Sequence, residues 1–250
     1  MTQALIVAFF GGLIIGSFVT VVGYRVPRGE SILGPRSRCT TCGAQIAAYD
    51  NIPVFSWVLL RGRSRCCGDR ISARYPLTEL SLGGLYLVTT AVLWEDPTEL
   101  ALGLVFATML LAITLTDLDR RVIPNKVLLV AAAAGVMITA IGDPSSLPER
   151  AIAAAAAGGG LFLVALAYPR GMGLGDVKLA AVMGLFLGRN VAPAILIALL
   201  AGSLVGLALI AREGAAARKR AIPFGPFLAL GGMVALLAGD QLVGWYLSAF

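Results

Sequence analysis

Two aspartates, each beside an apolar segment long enough to enter a membrane, have the side chains and the setting best suited to chemistry. Asp117 lies near the end of one such segment, and Asp176 lies at the start of another. Charged groups at the edge of a bilayer are costly to place there, so they are candidates for function. Two neighbouring carboxylates share one proton, which lets one activate a water molecule while the other protonates a carbonyl. The pair therefore predicts hydrolysis of a peptide bond.

The residues around Asp176 suit a peptide substrate. Gly173 and Gly175 precede it, and their backbone freedom would let this segment approach an extended peptide and pair with it as a strand. Lys178 follows two positions later and belongs to the same predicted active-site segment.

Plainer interpretations of these acids stay open at this point. Asp176 could be only a helix N-cap, and Asp117 could be an ordinary helix end. Asp119, next to Arg120 and Arg121, is predicted to belong to a solvated cluster at a helix end. The sequence contains no histidine, which excludes Ser-His-Asp and Cys-His catalysis and every metal site that needs imidazole.

All four cysteines lie in one short polar stretch. Cys39 and Cys42 form a CxxC pair, and Cys66 and Cys67 follow 24 residues after Cys42. Four thiolates on a reducing side of a membrane predict a structural zinc site. Ser64 stands where the third cysteine of a second CxxC pair would be, so ligation by adjacent cysteines needs an unusual turn. A disulfide, an empty site and a redox role remain alternatives.

The overall composition indicates what kind of elements hold these sites. The chain has 250 residues, of which 58% are hydrophobic and 14% are charged, with a mean hydropathy of +0.86. Soluble domains carry about 25% charged residues. The composition therefore predicts an all-α polytopic membrane protein embedded in the lipid bilayer.

Apolar segments predict about eight transmembrane helices, although the sixth is short for a bilayer about 30 Å thick and leaves seven possible. The predicted spans are 4–22, 77–94, 100–116, 126–142, 151–168, 177–188, 191–211 and 222–247. The alanine and glycine run 151–160 predicts close helix packing through small residues. Three domains are expected: a first transmembrane helix (1–24), a Cys-containing loop domain (25–75) and a larger transmembrane domain (76–250).

The basic residues predict the orientation. The net charge of +6 would suggest nucleic acid in a soluble protein, but 18 of the 20 Lys and Arg residues lie in alternate loops. The positive-inside rule places those loops in the cytoplasm. The Cys loop and both aspartates are then cytoplasmic, both termini lie outside, and no nucleic-acid partner is expected. An even number of spans is required, which favours eight.

Several motifs resemble those of the bacterial type IV prepilin peptidases. Gly173-Leu174-Gly175-Asp176, followed by Lys178, is similar to the GxGD motif of that family, and Asp117 matches its other catalytic aspartate. Segments 16–27, 49–57 and 71–80 resemble its N-terminal signature and its cytoplasmic loop. Thr20 and Ser64 depart from the family pattern, where Asn and Cys are expected.

The resemblance implies a GxGD aspartyl intramembrane protease of the bacterial inner membrane. Such enzymes remove the leader peptide of type IV prepilins or pseudopilins after a glycine, for a type IV pilus or type II secretion. The resemblance also implies methylation of the new N-terminus with S-adenosylmethionine, for which the sequence offers no motif of its own.

Two other classes remain as alternatives. In an ion-coupled transporter, Asp117 and Asp176 would bind a cation or relay protons. A non-catalytic assembly factor of a pilus or secretion machine would need neither acid for its role.

Overall fold

The computed structural model describes residues 1–34, 37–168, 171–214 and 222–248. Within these ranges the chain is helical, and its only β-structure is two isolated bridges. The α-helices are α1 (Thr2–Arg25), α2 (Phe55–Leu59), α3 (Arg74–Leu93), α4 (Pro97–Arg120), α5 (Asn125–Gly142), α6 (Leu147–Ala167), α7 (Leu174–Leu187), α8 (Val191–Glu213) and α9 (Gly225–Ser248).

The chain forms two compact units. Unit 1 comprises Met1–Trp94 and unit 2 comprises Glu95–Phe250. Unit 1 therefore holds the polar loop together with the two long helices that the loop joins. The division expected from the sequence, at 24/25 and 75/76, separates that loop from its helices by composition and stays a prediction.

Unit 1 is built on the antiparallel pair α1 and α3. A Cβ on Gly12 would lie 2.7 Å from the Leu82 carbonyl oxygen, and a Cβ on Gly16 would lie 2.8 Å from the Glu79 Cα. Glycine at these two positions lets the helix backbones touch, which favours van der Waals packing in lipid. The segment between the two helices carries α2 and the cysteines.

The described residues of unit 2 form six long helices, with α7 at the core of the unit. Phe186 of α7 stacks on Phe106 of α4, with ring centroids 5.1 Å apart. A Cβ on Gly184 would lie 2.5 Å from the Ala154 backbone, so α6 and α7 pack backbone to backbone. The expectation of close packing through the small residues of 151–160 is confirmed.

The count of spans depends on one long stretch. Among the described residues, seven stretches are long and apolar enough to cross a membrane, and Leu174–Glu213 is one stretch of 40 residues. That stretch holds two helices, α7 and α8, separated at Gly188, where φ is +53° and glycine is favoured.

The contacts of these two helices give their directions. The start of α7 lies beside the segment that follows α4, and its end lies beside the start of α6. Helix α8 runs antiparallel to α9, with Asn190 against Gly239 and Gly202 against Phe224. Each of α7 and α8 therefore runs the length of unit 2. The six long helices of that unit, together with α1 and α3 of unit 1, give eight long helices among the described residues.

The outer surfaces of the helices fit a lipid environment. Leu129 and Val130 of α5 are more than 70% exposed, and Leu204 and Leu207 of α8 are more than 60% exposed. Large apolar side chains exposed on this scale are unfavourable in water. The fold class expected from the sequence, an all-α polytopic membrane protein, is confirmed.

Candidate active site

Helix α4 carries Asp117 to one end of unit 2. The helix starts after Asp96, whose carboxylate accepts hydrogen bonds from the backbone N–H groups of Thr98 (2.9 Å) and Glu99 (3.0 Å). It ends at Arg120, and Arg121 takes a left-handed conformation with φ of 53°. Asp117 lies in the last turn and is buried, with 5% of its surface exposed.

Helix α7 begins with the glycine-rich segment and carries Asp176 in its first turn. Gly173 is the N-cap, and its N–H donates to Asp176 Oδ2 over 3.2 Å. Asp176 is thus the third helical residue and not the cap itself. A Cβ on Gly175 would lie 3.1 Å from the Ile123 Cβ, so glycine lets α7 approach the segment after α4.

This approach brings the two acids together. The carboxyl groups of Asp117 and Asp176 are near enough to interact electrostatically. They come from different helices, and the chain between them makes two further crossings, α5 and α6. Two carboxyl groups that share one proton can act as general acid and general base in hydrolysis.

Helix α9 contributes a group that the sequence reasoning missed. The N–H of Gly225, the first residue of α9, donates to Asp117 Oδ2 over 2.8 Å. A Cβ at this position would lie 2.8 Å from the same oxygen. The sequence did offer one signal, because Gly225 lies between Pro223 and Pro226. Proline is common at the start of a helix, where the backbone N–H groups have no partner within the helix.

Two other residues near the acids have different surroundings. Lys178 Nζ donates to Asn125 Oδ1 over 3.2 Å and so links α7 to α5. Asp119 is exposed, whereas Asp117 is buried. The two residues lie on opposite faces of α4, because two positions along an α-helix differ in direction by about 200°. The structure therefore brings Gly173, Gly175 and Lys178 to the same end of unit 2 as the two acids.

The cysteine loop of unit 1 contains two similar turns. In the first, the Cys39 N–H donates to the Ala44 carbonyl and the Gly43 N–H donates to the Cys39 carbonyl. In the second, the Ser64 N–H donates to the Asp69 carbonyl and the Gly68 N–H donates to the Ser64 carbonyl. Gly43 and Gly68 both have positive φ, at 73° and 72°.

Ser64 thus occupies the position of Cys39 in the second turn, and Cys66 supplies the fourth sulfur. All four Sγ atoms lie within 4.8 Å of one another. Cys39 and Cys67 are 3.7 Å apart, Cys42 and Cys66 are 3.2 Å apart, and Cys66 and Cys67 are 3.9 Å apart. The four cysteines are free thiols and are close enough together to bind one metal ion.

The electrostatic surroundings differ among these thiols. Backbone N–H groups of Cys42 and Thr41 lower the pKa of Cys39 to about 6. The neighbouring thiol of Cys42 raises the pKa of Cys66 to about 12. Nearby, the Arg65 guanidinium bonds both oxygens of Asp50 and holds the pKa of that carboxyl below its usual value.

A bundle of apolar helices that brings two acids from separate helices to one end defines a multi-pass membrane protein with a carboxylate-pair site. The family model named Bacterial Peptidase A24 N-terminal domain matches residues 10–93, and the model named Type IV leader peptidase family matches residues 104–211.

Curated relatives match nearly the whole chain. The prepilin leader peptidase/N-methyltransferase of Aeromonas hydrophila is 35% identical over 97% of this chain and 93% of its own length. The protein of the same name from Bacillus subtilis is 34% identical over 96% of this chain and 97% of its own length. No solved structure matches the chain. The chain belongs to the type IV leader peptidase family.

Proposed function

We propose that this chain is an aspartyl endopeptidase of the inner membrane that removes the leader peptide of type IV prepilins or pseudopilins after a glycine. The observation that carries the proposal is that α4 and α7 bring Asp117 and Asp176 to the same end of unit 2, near enough to interact electrostatically. The names of the relatives support this substrate class.

The two acids divide the hydrolysis between them. The ionised carboxyl takes a proton from a water molecule as the water oxygen bonds to the scissile carbonyl carbon. The protonated carboxyl gives its proton to the carbonyl oxygen. The tetrahedral species then breaks its C–N bond: the amine nitrogen leaves with a proton from the first acid, and a hydroxyl proton returns to the second acid as the new carboxyl group forms. Gly175 lets α7 pack against Ile123, in the segment that follows Asp117.

The second proposed activity is methylation of the amino group that cleavage exposes. The relatives' printed names include N-methyltransferase, and the family resemblance implies S-adenosylmethionine as the methyl donor. The structure contains a cavity in unit 1 that neither Asp117 nor Asp176 lines.

Zinc is the metal that the cysteine set would hold. A tetrahedral site with Zn–S bonds of about 2.3 Å places its sulfurs about 3.8 Å apart. The sulfur separations of 3.2, 3.7 and 3.9 Å lie around this value. Cys39, Cys42, Cys66 and Cys67 would be the ligands, and the ion would stabilise a loop that has little apolar core.

The proposed orientation places the Cys loop and the two acids in the cytoplasm, with both termini outside. It rests on the basic residues of the loops and on the even number of long helices. The transporter alternative is disfavoured because transporter sites lie near the bilayer midplane, whereas both acids lie at helix ends. An assembly factor without activity gives no reason for two acids to meet.

Cleavage by purified variants tests the peptidase. Asp117→Asn and Asp176→Asn should each abolish leader removal from a prepilin, measured by mass spectrometry of the product, because each carboxyl moves a proton in the reaction. Asp119→Asn is the matched control and should retain most of the rate, because its side chain is exposed. Normal cleavage by either of the first two variants would contradict the carboxylate pair.

A further inference from the structure

A cavity of about 720 Å³ lies within unit 1, and neither Asp117 nor Asp176 lines it. Its wall is formed by α1, by α3 and by the segment between them. Sites for small organic molecules occupy about 300–1,000 Å³, so the volume admits a cofactor-sized ligand. Aromatic rings line it at Tyr24, Tyr49, Trp57 and Tyr75.

One wall residue, Glu79, is a buried acid. Only 6% of its surface is exposed. Its Oε2 accepts the Val54 N–H over 2.7 Å, and Ser17 of α1 lines the same cavity. The Val54 backbone has φ of 60°, which a β-branched residue rarely adopts, so the Glu79 bond holds a strained turn at the cavity wall.

Glu79 differs from Asp50 and Asp69, two other acids of this wall, in its partners. Asp50 is paired with Arg65, and Asp69 accepts from the Thr41 hydroxyl and from the Arg70 N–H. No Lys or Arg of residues 1–34, 37–168, 171–214 or 222–248 forms an ion pair with Glu79. A buried anion without a cationic partner is costly, although the surrounding segment is rich in arginine.

We propose that this cavity binds S-adenosylmethionine and that the Glu79 carboxylate is the counter-charge for its positive sulfonium. The proposal rests on the methylation activity proposed above. A cavity whose wall carries both a carboxylate and aromatic rings suits a methylated cation, because ring faces and negative charge both attract it. The rings also offer surfaces on which an adenine can stack.

The transfer that this site would serve changes the charge next to Glu79. The lone pair of the substrate amine forms a bond to the methyl carbon, the carbon–sulfur bond breaks, and its electron pair stays on sulfur. The amine nitrogen becomes the cation and then releases a proton to water. The sulfur becomes a neutral thioether, so the carboxylate attracts the donor more strongly than the spent product.

The binding preference for donor over product tests this role. The full-length, zinc-loaded protein in detergent should bind S-adenosylmethionine at least about tenfold more tightly than S-adenosylhomocysteine, measured by equilibrium dialysis. Glu79→Gln should abolish that preference, because glutamine keeps an acceptor for the Val54 N–H but carries no charge. Glu79→Asp keeps the charge and should retain a preference.

The matched control is Glu95→Gln, an exposed acid in unit 2, which should leave both affinities unchanged. Leader cleavage by the Glu79→Gln protein reports whether it is folded. An unchanged preference in a cleaving Glu79→Gln protein would overturn the proposal, as would a wild type that binds both ligands equally. If the Glu79→Gln protein does not cleave, the proposal is judged by the preference of the wild type and of Glu79→Asp for S-adenosylmethionine over S-adenosylhomocysteine.

A second measurement separates this proposal from the function on which it rests. Mass spectrometry of the mature product shows whether the wild type adds a methyl group. If methylation occurs but does not depend on Glu79, this site is wrong and the methyltransferase stands. If the wild type cleaves and never methylates, the methyltransferase and this site both fail, and the peptidase is unaffected.

Discussion

Asp117 is oriented by a backbone group of another helix. Its Oδ2 accepts the Gly225 N–H, so a proton shared with Asp176 is expected on the other oxygen, Oδ1. The N–H also lies at the start of α9, where the helix dipole favours negative charge. The catalytic geometry therefore depends on how closely α9 approaches α4.

Substitution of Gly225 tests this dependence. In Gly225→Ala the new Cβ would lie 2.8 Å from Asp117 Oδ2, so the carboxylate must move. We expect kcat for leader cleavage to fall about 100-fold with little change in KM, because displacements of about 1 Å cost this much. Gly244→Ala in the same helix meets nothing within 4 Å and is the control. A normal kcat for Gly225→Ala would contradict the role given to α9.

The cysteine cluster allows a prediction about zinc content. Wild-type protein should contain about one zinc per chain by elemental analysis. Cys66→Ser should lose most of it, because only three sulfurs remain. Adding Ser64→Cys to that variant should restore the zinc, since position 64 in the second turn corresponds to Cys39 in the first. Full zinc content in Cys66→Ser alone would show that Cys66 is not a ligand.

At the scale of elements, α7 is held at both ends. Lys178 bonds to Asn125 near its start, and Arg150 of α6 donates to the Phe186 carbonyl near its end over 2.5 Å. Arg150 is 7% exposed and also pairs with Glu99 of α4. These contacts, together with the close packing on α6, fix the helix that carries Asp176.

Removal of Arg150 should therefore destabilise unit 2. Arg150→Ala leaves buried carbonyls without a donor, and each such loss costs about 1–3 kcal/mol. The free energy of unfolding, measured in mixed micelles, should fall by at least this amount. Arg189→Ala removes an exposed pair with Asp240 and should cost less than about 1 kcal/mol. Equal effects of the two substitutions would contradict the assigned role of Arg150.

The long helices were predictable because each coincides with an apolar run bounded by charged residues, glycine or proline. Helix α7, for example, was expected at 177–188 and is found at Leu174–Leu187. The short helix α2 was not predicted, because Phe55–Leu59 offers less than two turns of pattern.

For the molecule as a whole, the sequence located the two acids but not everything that surrounds them. The sequence predicted a shared depth for Asp117 and Asp176, because basic residues lie near the ends of their helices. Gly225 was missed because a backbone N–H donor has no residue type to recognise, and it lies 108 positions from Asp117. The cavity beside Glu79 was missed for a related reason, since a cavity depends on packing between distant segments.

The orientation of the chain in the membrane can be tested on the intact protein. A protease site inserted after Ser145, at the end of unit 2 away from the two acids, should be cut in intact spheroplasts. The same insertion after Val122, beside Asp117, should be cut only after lysis, because basic loops stay in the cytoplasm. The cut fragments can be identified by immunoblotting, and the reverse pattern would contradict the proposed sidedness.

The position of the two acids at helix ends has a consequence for bioenergetics. Asp117 lies three residues from the end of α4, and Asp176 is the third residue of α7. With the helix ends taken as the edge of a bilayer about 30 Å thick, a proton that moves between solution and the pair travels about 5 Å of it. Moving one elementary charge across the whole bilayer costs about 2.3 kcal/mol at a membrane potential of about 100 mV. At that potential the short path costs about 0.4 kcal/mol, which changes the rate by a factor of about two. Leader cleavage should thus proceed almost as fast in a de-energised membrane as in an energised one.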